Sequence, residues 1–234
     1  MITIRKSEDR GHADKGWLDS YHTFTFGSYQ DPTQMGFRSL RVINDDRVAP
    51  GRGFGAHAHR DMEILSYVLE GTLAHKDSMG HTERLGPNEI QKMSAGDGVV
   101  HSEFNGSEVD PVRFLQIWIE PKASGAHPAY QQVKFAPEEK RNRVKLLASS
   151  DQIEGAVQIN QDARMSVAEL TPQIEVTYLL APDRGAWLHV VKGEVSLNGV
   201  PLHDGDSAAV EQEADLTVLN TGADLAEVLL FDLA

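Results

Sequence analysis

The chain alternates apolar and polar residues over short runs, and turn residues close most of those runs. Leu40–Asn44 reads as a strand ending in an Asp45-Asp46 turn, and Glu63–Leu69 as a second strand closed by Glu70-Gly71. Leu73–Asp77 and Thr82–Leu85 flank Ser78-Met79-Gly80, a hairpin signal with glycine in the tight turn. Glu89–Met93 and Val112–Ile119 continue the pattern, and no stretch carries a convincing helical period. Many short strands at this spacing predict antiparallel sheets closed into a sandwich or barrel.

After Pro121 the patterning fades. Residues 122–150 are polar and charged, with Pro128 and Pro137, and read as a connection. Strands resume at Ala156–Ile159 and Met165–Leu170. An internal echo follows: Leu188–Val195 repeats the plan of Ser66–Leu73, an apolar strand, a charge, a glycine and a new strand. Asp204–Val210 takes the place of Leu85–Ile90, and Leu197-Asn198-Gly199-Val200 carries the Asn-Gly of a type I′ hairpin. Two related β domains in tandem are expected: residues 1–122, a connecting segment 123–145, and residues 146–234.

Bulk composition narrows the functional classes. The 234 residues are 40% hydrophobic and 24% charged, an ordinary globular balance. With 35 acidic and 22 basic residues the net charge is −13, which disfavours direct nucleic-acid binding. The basic stretch Lys140–Lys145 follows Glu138-Glu139 and is expected to be a solvated surface segment. Cysteine is absent, so disulfides and thiolate metal sites are excluded, which suits a reducing cytosol. The N-terminus lacks the apolar run of a signal peptide, and no apolar run is long enough to span a membrane. A cytoplasmic monomer is expected.

Two dyads carry the candidate chemistry. His57-Ala58-His59 and His101-Ser102-Glu103 share an i, i+2 spacing, which on a strand puts both side chains on one face. Three imidazoles and a carboxylate suit a first-row divalent metal and would leave open coordination positions for chemistry.

The residues around these dyads resemble the cupin superfamily and, more closely, its pirin family. Gly51 with His57-Ala58-His59 and Glu63 opens the first cupin motif, and Gly98-Val99-Val100-His101 with Asn105 ends the second. Gly53–Glu63, Tyr67–Gly71 and Gln91–Glu103 carry the pirin likeness, which is dense over residues 10–120 and thinner beyond. The resemblance implies two tandem cupin barrels with His57, His59, His101 and Glu103 as the metal ligands of the first. Iron(II) is the first expectation, with copper, nickel, manganese or zinc as alternatives. Glu63 lies one residue out of register with the usual cupin glutamate, so its side chain should fall on the opposite face, where a solvent-facing position is expected ahead of a hydrogen-bonding one. The second domain lacks the dyads, with Pro182–Trp187 and only His189 near the expected place, and should be metal-free.

By the same resemblance, the activity implied is that of a quercetin (flavonol) 2,3-dioxygenase acting on an aromatic, flavonoid-like substrate and O2, with Glu103 as proton acceptor. Phe54 is placed to line an apolar mouth or to pack in the core. His12, His81, His127 and His203 read as ordinary loop or surface residues, while His22 and His75 could line a cavity. A metal-binding regulator acting through protein partners is the alternative, since eukaryotic pirins are described as transcription cofactors. A sugar or small-acid isomerase is the third reading, but the extra charged groups it needs are not evident.

Overall fold

A computed structural model describes residues 1–234. Twenty-two strands and two short 3-10 turns make up the regular structure. In chain order the strands are β1 (Ile2–Arg5), β2 (Gly11–Asp14), β3 (Leu18–His22), β4 (Leu40–Val48), β5 (Gly53–His59), β6 (Glu63–Glu70), β7 (Leu73–Asp77) and β8 (Thr82–Leu85). They continue as β9 (Glu89–Ser94), β10 (Val99–Asn105), β11 (Val112–Ile119), β12 (Ala129–Lys134), β13 (Lys145–Ser149), β14 (Val157–Gln158) and β15 (Ala163–Leu170). The last seven are β16 (Glu175–Leu179), β17 (Gly185–Lys192), β18 (Val195–Leu197), β19 (Val200–Leu202), β20 (Ser207–Glu211), β21 (Asp215–Asn220) and β22 (Ala226–Leu233). No helix is long and apolar enough to cross a membrane.

The chain forms two compact units. One comprises Gly11–Phe135 with Asp151–Gln161, the other Met1–Arg10, Ala136–Ser150 and Asp162–Ala234. This division departs from the boundaries expected at residues 122 and 145. The first ten residues belong to the second unit because β1 pairs antiparallel with β20, Ile2 opposite Val210. The expected connection is largely built structure: β12 pairs with β9, and β13 with β15. Its basic stretch is not simply solvated either. Lys140 is buried and its Nζ lies 2.9 Å from Glu227, while Arg141 bonds Glu169 at 2.7 Å. Removing one partner of the Lys140–Glu227 pair would strand a buried charge, at a cost of about 3–5 kcal/mol.

In the first unit a larger sheet runs β12-β9-β6-β11-β4-β3-β2 and a smaller one β5-β10-β7-β8. Apart from Leu69 and Glu70 at its end, β6 is buried throughout, as its near-continuous apolar run dictates. The β7–β8 hairpin closes as the sequence indicates, Lys76 opposite Thr82, with Gly80 at φ +100°. The expected Asp45-Asp46 turn is instead the middle of β4, which runs on to Val48. Both acids find partners on neighbouring strands: Asp45 takes two bonds from Arg113, at 2.9 and 2.8 Å, and Asp46 accepts from the Ser20 hydroxyl.

The second unit repeats the plan, with β1-β20-β17-β22-β15-β13 in its larger sheet and β16-β21-β18-β19 in its smaller one. Its β18–β19 turn has Asn198 and Gly199 at φ +47° and +85°, the type I′ signature of Asn-Gly. Strand register aligns the units residue by residue. Leu73 and Asn105 face each other in one, Val195 and Asn220 in the other. The two asparagines do the same work: Asn105 donates to Val48 and Asp110 carbonyls, Asn220 to Leu170 and Asp224 carbonyls.

Candidate metal centre

β5 and β10 pair antiparallel with His101 opposite His57 and Val99 opposite His59. On β10 the inward residues Val99, His101, Glu103 and Asn105 are buried while Val100 and Phe104 are exposed, so the i, i+2 spacing does place one dyad on one face. A register shift between His101 and Glu103 bends the ladder beside the centre. Gly53 permits the close approach of the strands there. A Cβ on it would lie 2.3 Å from the Glu103 carbonyl oxygen and 2.4 Å from the Phe104 Cα.

Three imidazoles converge. Ring centroids lie 4.8 Å apart for His57–His59, 4.5 Å for His57–His101 and 4.8 Å for His59–His101. The His57 Nδ1 bonds the Gly55 carbonyl at 2.7 Å, so it carries the proton and Nε2 is left with its lone pair. The His59 Nε2 and both ring nitrogens of His101 are buried and have no hydrogen-bond partner. Buried polar atoms are almost always satisfied, so orphaned nitrogens pointing together mark a place shaped for a cation. Burial, reinforced by the neighbouring His57, holds His59 down to about 4. Burial and then His57, His59 and His75 hold His101 down to about 3. Both rings are therefore neutral at physiological pH, the form that ligates a metal.

Glu103 stands beside this trio. Donor atoms of His57, His59 and His101 lie within 4.8 Å of one another, and those of His75, His101 and Glu103 form a second set of the same span. Burial, opposed by hydrogen bonds from Ser66 and Gln116, pushes the Glu103 carboxyl up to about 7; a cation beside it would favour the carboxylate. Its orientation is fixed at both oxygens. Ser66 Oγ lies 3.2 Å from Oε1, and the Gln116 amide donates to Oε2 at 2.8 Å. Ser66 also reaches Gln116 Oε1 at 2.8 Å, linking the three side chains. Imidazole nitrogens and carboxylate oxygens together suit a single divalent first-row ion.

Glu63 faces away from this cluster, as its register indicates, yet it is buried rather than solvent-facing. Its carboxylate accepts from Ser94 Oγ at 2.8 Å and from the Asn160 amide at 3.0 Å, with the buried Lys92 nearby. Of the two histidines that could line a cavity, His22 lines the one beside the centre and His75 does not, being buried and hydrogen-bonded behind His101. His75 lies with its ring centroid 5.4 Å from that of His101, held by Asp77 at 3.0 Å and Gln91 at 3.3 Å. Ser66, Gln116 and Asp46 were not picked out from the sequence. The available signal was a lone polar residue inside an apolar strand, Ser66 in Ile64–Leu69 and Gln116 in Phe114–Ile119.

The centre opens on a cavity with an empty volume of about 660 Å³, part of it open to solvent. Phe26, Phe54 and Trp118 line it, together with His57, His59 and Glu103. Phe54 serves both roles considered for it, since it also packs edge-on against Trp17 at 5.4 Å. Trp118 stands edge-on to His59 at 5.0 Å and to Phe26 at 5.4 Å.

In the second unit, register puts Tyr178 and Leu180 where His57 and His59 stand, and Leu216 and Val218 where His101 and Glu103 stand. Leu180, Leu216 and Val218 belong to a continuous aliphatic core, with Tyr178 packed against it. The counterpart of the histidine pair is therefore Tyr178 and Leu180, a few residues before the Pro182–Trp187 stretch at which the sequence pattern points.

Comparison with known proteins places this arrangement. A family model described as Pirin matches residues 3–119, and one described as Quercetinase C-terminal cupin domain matches residues 146–233. The chain is 45% identical over 233 residues to a quercetin 2,3-dioxygenase of Escherichia coli (strain K12), covering 100% of this chain and 99% of that protein. It is 40% identical to a pirin-like protein of Caulobacter vibrioides, with both chains covered in full. The crystal structure of the bacterial pirin YhhW from Escherichia coli in complex with nickel(II) is similar at a TM-score of 0.93 and 44% identity, covering 100% of this chain and 99% of that one.

Proposed function

The chain belongs to the pirin family of cupin proteins, and on that premise we propose that it is a metal-dependent quercetin (flavonol) 2,3-dioxygenase whose ion is held by His57, His59, His101 and Glu103. The observation that carries this reading is the set of orphaned, buried nitrogens on His59 and His101, facing His57 and opening on an aromatic-lined cavity. Iron(II) is the ion proposed. The nickel complex of the bacterial pirin supports a divalent ion at such a centre without fixing which one is used here.

A bound divalent ion supplies a Lewis acid that lowers the pKa of a hydroxyl presented to it. The protein does the rest. The Gly55 carbonyl fixes the His57 tautomer, and Ser66 with Gln116 holds the Glu103 carboxyl in one orientation. Glu103 takes the proton that the flavonol 3-hydroxyl gives up. Phe26, Phe54 and Trp118 offer flat apolar surface to the ring system and displace water from it. With dioxygen as oxidant, both of its oxygen atoms would enter the product at the two carbons flanking the hydroxyl-bearing carbon. The two C–C bonds to that carbon break, it leaves as carbon monoxide, and an ester and a carboxylic acid remain.

Aerobic turnover of quercetin with carbon monoxide release tests this directly. It should require the metal and vanish in His59→Ala and in Glu103→Ala. Flavonol binding by the metal-loaded protein without oxygen uptake would defeat the dioxygenase reading and leave a binding role.

A further inference from the structure

The first unit carries a second buried carboxyl, Asp46, that the chemistry above does not use. It sits on β4 facing inward, only 4% exposed, and it lines the same cavity as three of the candidate ligands, His57, His59 and Glu103. Its sequence neighbour Asp45 faces the other way and is neutralised by Arg113. Asp46 has no such cation. Its Oδ1 accepts from the Ser20 hydroxyl, which leaves Oδ2 for a donor from the cavity.

Strand register makes Asp46 part of a polar row. Ser20 lies opposite Asp46, His22 opposite Asn44, and Asn44 opposite Gln116, on the adjacent strands β3, β4 and β11. His22 Nδ1 is 2.9 Å from the Asn44 oxygen and 3.4 Å from Ser20 Oγ. This row shares the cavity with the apolar side chains of Leu18, Phe26, Phe54 and Trp118.

A buried carboxyl with one oxygen lacking a donor is costly, and the fold does not require it. In the second unit the same register position is Ala168, opposite Val228 as Asp46 is opposite Phe114. There the β-scaffold is complete with a methyl group in that place. Burial leaves the Asp46 carboxyl so poorly solvated that it is pushed up to about 7, and a ligand hydroxyl would supply the donor that the protein withholds.

We propose that Asp46, propped by Ser20, is a recognition subsite for a hydroxyl of the aromatic substrate other than the one presented to the metal. For the kind of substrate this rests on the dioxygenase reading. The subsite selects polyhydroxylated rings over rings of the same shape without those hydroxyls, because an unpaired buried acceptor penalises the latter.

Quercetin and 3-hydroxyflavone separate the two ideas, since the second keeps the 3-hydroxyl and lacks the others. Dissociation constants for both would be measured anaerobically on metal-loaded protein by quenching of tryptophan fluorescence. Wild type should prefer quercetin by roughly tenfold or more, and Asp46→Asn, which replaces the charge-capable acceptor by an amide N–H that can only donate to the hydroxyl oxygen, should reduce that preference. Asp46→Ala, matching the second unit, should do the same, and thermal unfolding of both variants checks that they are folded. A preference retained in the folded variants, or absent from wild type, overturns the subsite. Selective binding that depends on Asp46 without aerobic turnover supports the subsite and overturns the dioxygenase reading alone.

Discussion

The two units share one strand plan and differ in what fills it. In the first, the strands facing the interior present His57, His59, His101 and Glu103, backed by Ser66, Gln116 and Asp46. In the second, the equivalent positions hold Tyr178, Leu180, Leu216 and Val218, backed by Leu188, Leu230 and Ala168. The framework asparagines Asn105 and Asn220 are the same residue making the same bonds. The comparison separates what the fold needs from what the chemistry needs. The fold needs the register, the turn glycines and the asparagine bonds. The polar interior of the first unit is additional, and it costs stability unless an ion or ligand satisfies it.

The largest expected effect comes from making the first unit like the second. His101→Leu with Glu103→Val should reduce bound metal to roughly a tenth of an equivalent or less and abolish any metal-dependent turnover. The metal-free protein should unfold no more easily than metal-free wild type, because buried polar groups give way to apolar ones. Elemental analysis and thermal unfolding read the two halves of this expectation. A large loss of stability in the metal-free state would mean that the polar cluster supports the fold after all.

The reverse exchange is next. Leu216→His with Val218→Glu buries an imidazole and a carboxyl in an aliphatic core without Ser66 or Gln116 equivalents. It should destabilise by about 3 kcal/mol or more, seen as a shift in the denaturant midpoint. Metal should not rescue it, since Tyr178 and Leu180 cannot complete the donor set.

Asn105→Ala and Asn220→Ala test the shared framework. Each frees two carbonyls and one backbone N–H, and each should cost about 1–3 kcal/mol. Similar costs, measured by denaturant unfolding of the metal-free protein, would confirm that the two asparagines hold equivalent turns.

The smallest effect concerns pH. The folded His59 and His101 are held down to about 4 and about 3 from an ordinary 6.5. Across the window between those values and 6.5 the unfolded chain binds more protons than the folded one, so these rings make stability rise with pH. The raised Glu103 acts in the opposite sense, its contribution falling as pH rises from 4.5 to about 7. Metal-free Glu103→Gln removes that opposition. It should therefore show a steeper gain in stability from pH 4.5 to 6.5 than metal-free wild type, in urea titrations at each pH.

Much of this was legible in the sequence for physical reasons. Period-two spacing on a strand is enough to bring His57 with His59, and His101 with Glu103, onto single faces. Gly80 and Asn198-Gly199 identify their hairpins because few other residues tolerate those backbone angles. What escaped depends on distant partners. Asp45-Asp46 looks like a turn until Arg113 and Ser20 arrive from other strands. Lys140 looks solvated until Glu227 meets it from 87 residues away. Residues 1–10 join the second unit only because β20 offers β1 a partner.

The central claim is that one divalent ion sits among these particular side chains of the first unit. Anomalous diffraction at the metal absorption edge, from crystals of protein never exposed to chelator, measures it most directly. One peak should appear per chain, about 2.0–2.3 Å from nitrogens of His57, His59 and His101 and an oxygen of Glu103. A peak on His75, His101 and Glu103 without His57 and His59, a peak in the second unit, or no peak at all would contradict the account.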